Sequence, residues 1–176
     1  MSQPMPPLQM QEHDASGAGA AGAPRPVRAL VVVDGTERTG RVMDFAMTLA
    51  RKGLSLEAIL LGVVADPPDV RLRGYGSFKR KDIHARLKDI MGARAVAATA
   101  RRFEQAGIVH QDRVEVGDPA ETILRVAGEE NCDLVLLGDG PAGAFRRWLP
   151  RLAGLSLATT ATEVARRAAM PVVIVP

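Results

Sequence analysis

The acidic residue best placed for chemistry is Asp34, which follows the apolar run Ala29–Val33, a pattern typical of a buried strand. A carboxylate at the end of such a strand is suited to chemistry or to Mg²⁺, which prefers oxygen ligands. Asp34 also precedes Gly35, and an Asp-Gly pair is a common turn former. The sequence therefore leaves two roles open for Asp34, a ligand contact and a turn.

Several hydroxyl side chains lie where the last predicted helix begins: Ser156, Thr159, Thr160 and Thr162. The N-terminus of a helix presents unpaired backbone N–H groups, which favour anions such as phosphate. Helix capping accounts for one of these hydroxyls. Phosphate contact or phosphorylation would account for more of them.

The other side chains that often carry chemistry do not form a set. His13, His84 and His110 are scattered and lack the spacing of a metal site. The single cysteine, Cys132, excludes an intramolecular disulfide and a cysteine-rich metal site. It lies just before a predicted buried strand, so we expect an inert thiol. The sequence therefore predicts neither a catalytic set nor a metal site.

The elements that position Asp34 and the hydroxyls are best defined between residues 117 and 138. There Asp118 is suited to cap a helix and Pro119 to occupy its first position. The apolar run Leu134–Leu137, closed by Gly138, predicts a strand that is buried on both faces. This segment is therefore a turn, a short helix and a buried strand.

The same patterns recur along the chain. We predict further strands at Ala29–Val33, Ala58–Val64, Val114–Val116 and Pro171–Val175, and helices over 38–51, over 82–106 with a bend near Gly92, and from Thr159 or Thr160 onward. Alternating strands and helices predict an α/β fold, a doubly wound parallel sheet with helices on both faces. Ligands of such sheets bind beyond the carboxyl ends of the strands, where the strand order reverses.

Composition divides the chain into a tail and one domain. Residues 1–26 are rich in Gly, Ala and Pro without apolar periodicity, so we expect a disordered tail before a domain over 27–176. No apolar run reaches the roughly 20 residues that span a bilayer, and we see no secretion signal. We therefore expect a cytoplasmic protein.

Two segments stand out as candidate partner contacts. Residues 71–81 lie in a basic region, since residues 71–104 carry ten Lys or Arg against three Asp or Glu. Residues 144–152 combine aromatic and basic side chains, which favour interfaces. The alternative for both segments, which is the more common case for such patterns, is an ordinary solvated loop or helix face. Nucleic acid is disfavoured because few aromatic residues are interleaved with the basic ones.

With these elements placed, the chain resembles a universal stress protein domain over residues 27–176. Three signatures carry the resemblance: Val31–Thr36, Gly117–Leu124 leading to Asp133–Gly138, and Glu163–Ala165 with Met170–Val175. The resemblance implies a five-stranded parallel sheet of order 3-2-1-4-5. It also implies a site where the first and fourth strands diverge, and homodimers that pair their last strands.

Nucleotide-binding members of that family hold ATP at this site, with phosphates on a glycine-rich loop. The resemblance implies that Asp34 and Val63 lie on the adenosine side, that Gly138 is the first loop glycine and that Thr159 is the hydroxyl residue. Val32 and Gly140 are further candidates for cofactor binding, and Gly140 could partly substitute for a missing loop glycine.

The loop departs from the family pattern in ways that weaken a phosphate site. The position of the second loop glycine holds Pro141, which has no N–H to offer. Asp139 adds a negative charge that repels phosphate. The sequence therefore favours a non-enzymatic regulatory or stress-response domain that acts by dimerisation and partner binding. The alternative is a sensor of ATP or AMP, with magnesium and slow hydrolysis.

Overall fold

The structure is a computed structural model that describes residues 25–65, 80–89, 93–139 and 159–176. Its strands are β1 (Val27–Val33), β2 (Leu56–Val64), β3 (Val109–Val116), β4 (Leu134–Gly138) and β5 (Val172–Val175). Its helices are α1 (Glu37–Arg51), α2 (Arg80–Leu87), α3 (Ala93–Gln105), α4 (Pro119–Glu129) and α5 (Thr160–Arg167). None of the helices in these ranges has the length and apolar character needed to cross a membrane.

The five strands form one sheet in the order β3-β2-β1-β4-β5, and every neighbouring pair is parallel. This confirms the predicted fold class and strand order. The strand β1 pairs with β2 on one side and with β4 on the other, so the order reverses there. We call the gap between the carboxyl ends of β1 and β4, beside Asp34 and Gly138, the seam. It is where ligands of open α/β sheets bind.

Each face of the sheet is covered by helices, which explains the continuous apolar runs of the central strands. On one face, Val31 and Leu60 pack with residues of α1 and α3. On the other, Leu30 and Leu61 pack with residues of α4 and α5. All four side chains are fully buried. The buried strands thus hold the seam on a rigid base.

The third strand is longer than the predicted Val114–Val116, and this prediction was wrong at its start. The backbone of β3 pairs with β2 from residue 109 onward. Its part before Val114 is largely polar because β3 is an edge strand, whose side chains face solvent or form ion pairs. Arg113, for example, lies 2.7 Å from Glu130 and 2.6 Å from Glu129 of the α4 region.

Several sequence predictions concern residues that the structure does not describe. The helix predicted over 82–106 corresponds to α2 and α3, and the bend near Gly92 lies in the undescribed interval 90–92. The tail lies outside the described residues up to residue 24, and the segments 71–79 and 144–152 also lie outside them. Disorder and partner contacts there therefore stay predictions.

Candidate functional site

The side chain of Asp34 turns back onto the start of α1. Its Oδ1 accepts hydrogen bonds from the backbone N–H of Thr36 at 3.0 Å, from the Thr36 hydroxyl at 2.6 Å and from the Thr39 hydroxyl at 2.7 Å. The Thr39 hydroxyl also accepts a hydrogen bond from the backbone N–H of Asp34 at 3.0 Å. Asp34 therefore forms the turn that leads from β1 into α1, with Gly35 in the left-handed region at φ 71°.

These hydrogen bonds also set the charge of Asp34. Burial raises the pKa of the carboxyl, but hydrogen bonds from Thr36 and Thr39 and the charge of Arg38 lower it more, so the pKa lies below its ordinary value of 3.8. Asp34 is thus ionised at neutral pH. Its second oxygen, Oδ2, accepts a hydrogen bond from Arg38 Nη2 at 3.4 Å, and the two side chains form an ion pair.

Arg38 connects Asp34 to the end of β4. A Cβ built on Gly138 would lie 2.8 Å from the Cβ of Arg38 and 3.5 Å from its Cγ and Cδ. The stem of Arg38 therefore lies directly on Gly138, and a larger residue at 138 would collide with it. The structure thus brings Asp34, Arg38 and Gly138 together at the seam.

The reading of the sequence identified Asp34 and Gly138 but missed Arg38. One signal could have found it, because Asp34 and Arg38 are four residues apart where a helix begins, a spacing that lets opposite charges meet. The close approach of α1 explains why residue 138 is a glycine. That reason is independent of any phosphate loop.

Three other predicted site residues lie against the core or at the start of a helix. Val32 and Val63 are partly buried and pack against the core beneath α4 and α5. Thr159 is the N-cap of α5, and its hydroxyl oxygen accepts a hydrogen bond from the backbone N–H of Thr162 at 3.2 Å. Gly140 lies outside the described residues, so its predicted role is untested. The Thr159 hydroxyl therefore caps a helix, which is one of the two roles that the sequence left open for the hydroxyls at this helix start.

An open cleft of about 540 Å³ lies between α1 and α3, and its lining includes Asp34, Thr36 and Thr39. Small and hydroxyl side chains line much of it, including Gly40, Ala95 and Thr99. Arg102, which also lines the cleft, forms an ion pair with Asp44, with 2.7 Å between Arg102 Nη2 and Asp44 Oδ1. Within the described ranges, no group of three or more His, Cys, Asp or Glu side chains is arranged to hold a metal ion. The cleft therefore adds space beside Asp34 but no cluster of acids.

A sequence model of the universal stress protein family matches residues 27–176. The chain belongs to the universal stress protein family. The match spans all five strands and confirms the resemblance inferred from the three sequence signatures.

Solved universal stress proteins share this fold. UspA from Lactobacillus plantarum is 19% identical, with a TM-score of 0.60 over 86% of this chain and 99% of that one. A universal stress protein in complex with cAMP is 22% identical, with a TM-score of 0.58 over 85% of this chain and 97% of that one. A family member from Arabidopsis thaliana with AMP bound is 14% identical, with a TM-score of 0.55 over 85% and 91% of the two chains.

At these identities the structural likeness shows the fold alone. No curated protein matches the chain in sequence.

Proposed function

We propose that this universal stress protein domain is a non-enzymatic cytoplasmic regulator, which pairs with a second copy through β5 and acts by binding a protein partner. The observation that carries the proposal is the contrast between the two edges of the sheet. One edge strand is apolar and uncharged, and the other is covered with charges.

The apolar edge is β5, with the sequence Val172–Val175. It pairs with β4 on one side, and no described strand covers its other side. Ile174 is 37% exposed although it is a large aliphatic residue. Exposed strand edges of this kind favour pairing with another chain. The edge of β5 is therefore suited to a second copy of the domain.

The opposite edge, β3, carries the features that prevent such pairing. Its side chains include His110, Asp112, Arg113 and Glu115. Charged side chains on an edge strand oppose contact with a neighbouring sheet. The contrast supports association through β5 rather than through β3.

Two matched substitutions test the dimer. Ile174→Lys places a charge on the β5 edge, and we expect it to convert a dimer into a monomer in light scattering at micromolar concentration. Val109→Lys is the control, because Val109 is 68% exposed at the start of β3 and should leave the dimer intact. A wild-type monomer, or equal effects of the two substitutions, would contradict the proposal.

Two segments of the chain are proposed to contact the protein partner. The candidate contacts, residues 71–81 and 144–152, rest on their basic and aromatic composition. Their support is the sequence pattern, and both segments lie mostly or wholly outside the described residues.

A second candidate function is adenine-nucleotide sensing at the seam. It is supported by the meeting of Asp34, Arg38 and Gly138 at the strand-order reversal, and by the cAMP and AMP complexes of two structures with this fold. Pro141 and Asp139 argue against a triphosphate held by the loop after β4. A mononucleotide is therefore favoured over ATP with magnesium, and slow hydrolysis belongs to this candidate only.

Calorimetric titration decides the second candidate. We expect heat with AMP or cAMP and little with ATP and magnesium. No heat with any of them at millimolar concentration would remove nucleotide sensing, and would leave the dimer proposal unaffected.

A further inference from the structure

We infer that Arg38 is the phosphate-binding residue of the seam, and that it selects a nucleoside monophosphate. The guanidinium would then do what backbone N–H groups of the loop after β4 do in a glycine-rich phosphate site. The inference rests on the second candidate function and names the residue and the ligand class that this function would use.

The first step is that Asp34 does not need Arg38. Three donors from Thr36 and Thr39 reach Asp34 Oδ1 at 2.6 to 3.0 Å. The contact between Arg38 Nη2 and Asp34 Oδ2 is 3.4 Å, which is long for a charge-assisted hydrogen bond. The carboxylate is thus held by neutral donors, and Arg38 is free to take a better acceptor without undoing the turn.

The second step is that Arg38 is held in place while most of its donors have no hydrogen-bond partner in the part of the chain that the structure describes. Its stem packs on Gly138, and its side chain is only 21% exposed. A guanidinium has five N–H donors in a planar fork that matches the oxygens of carboxylate and phosphate. Among the described residues, Asp34 is its one hydrogen-bonding partner. A partly desolvated, positioned guanidinium with open donors is suited to a two-point contact with an oxyanion.

The third step is the charge around it. The carboxylate of Asp34 contacts the guanidinium, and Asp139 directly follows Gly138, on which the Arg38 stem packs, so acidic residues accompany Arg38 at the seam. A triphosphate would bring several negative charges against these acids, whereas a single phosphate group matches one guanidinium. The local charge therefore favours AMP or a cyclic monophosphate over ATP.

The test compares three proteins with three ligands by calorimetry. The proteins are wild type, Arg38→Gln and Arg51→Gln, the last being the same charge change at the far end of α1. The ligands are AMP, ATP and adenosine. We expect wild type and Arg51→Gln to bind AMP alike, and Arg38→Gln to bind it roughly tenfold or more weakly, because a charge-assisted contact is lost. Adenosine lacks the phosphate, so its affinity should be the same for all three proteins.

A second measurement follows Arg38 itself. Inorganic phosphate at millimolar concentration should shift the NMR signal of Arg38 Nε–H in the wild-type protein, and the signals of Arg51 should stay in place. Thermal unfolding of Arg38→Gln checks that the variant is folded.

The outcomes separate this inference from the function on which it rests. Equal AMP affinity in wild type and Arg38→Gln would overturn the role of Arg38 and leave nucleotide sensing standing. Tighter AMP binding by Arg38→Gln would show that Arg38 blocks the seam, which also overturns the inference. A phosphate-induced shift of Arg38 without AMP binding would support an anion site but remove the nucleotide. Neither shift nor binding would overturn both.

Discussion

Removing the Thr39 hydroxyl should destabilise the domain because this one group holds Asp34 twice. Thr39 is 6% exposed, and its hydroxyl donates to Asp34 Oδ1 and accepts from the Asp34 backbone N–H. The substitution Thr39→Val keeps the shape of the side chain and removes both hydrogen bonds. The bond to the carboxylate is worth about 1.5–3 kcal/mol and the bond from the N–H about 1 kcal/mol. We therefore expect a loss of roughly 3 kcal/mol in the free energy of unfolding.

Urea unfolding measures this loss, with Thr48→Val as the control on the same helix. The Thr48 hydroxyl donates to the carbonyl of Asp44 at 2.7 Å in an exposed position, where water can replace it. The control should therefore change the free energy of unfolding by about 0.5 kcal/mol or less. If Thr39→Val costs no more than Thr48→Val, the hydrogen-bonded turn at Asp34 does not carry the stability that the geometry assigns to it.

Thr39→Val should also change how the free energy of unfolding depends on pH. The pKa of Asp34 is lower in the folded chain than in the unfolded chain, so its ionised form stabilises the fold above a pH of about 4. That contribution is lost as the pH falls through the lowered folded pKa. Thr39→Val removes one donor and moves the folded pKa upward, towards the unfolded value, so the variant should lose less stability than wild type as the pH falls below about 4. A pH profile parallel to wild type would contradict this account.

Two further predictions concern other parts of the fold. The half-buried Arg113 pairs with Glu115, Glu129 and Glu130, so Arg113→Gln should lower the free energy of unfolding by about 1–2 kcal/mol. Urea unfolding should show a larger loss at low salt than at high salt, because salt screens ion pairs. Equal losses at both salt concentrations would refute the electrostatic explanation. Burial raises the pKa of the Cys132 thiol to about 11. The native protein should therefore react with a thiol reagent at pH 8 far more slowly than the urea-unfolded protein. Fast labelling of the native protein would contradict this prediction.

The fold was predictable because most of its strands are buried on both faces. Leu30 and Leu136, for example, are completely buried, and such strands read as continuous apolar runs. The part of β3 that precedes Val114 was not predictable in this way. Residues such as Arg113 gain their partners from α4, which is distant in sequence, so the strand is stabilised by contacts that no local pattern contains.

The site was predictable only in part. The position of Asp34 at the seam followed from the strand pattern. The hydrogen bonds that its carboxylate accepts from Thr36 and Thr39 show its role in the turn, and its predicted ligand contact stays a prediction. Arg38 was missed because an arginine at a helix start is usually solvated. Only the approach of α1 to Gly138 shows that its stem is held over the end of β4.

Light scattering of the wild-type protein at micromolar concentration, with and without ATP and magnesium, tests the central claim most directly. A domain that works by pairing its β5 edges, and whose loop after β4 does not hold a triphosphate, should show twice the chain mass of 18.7 kDa in both conditions. A mass of 18.7 kDa throughout, or a dimer that forms only when ATP and magnesium are present, would contradict it.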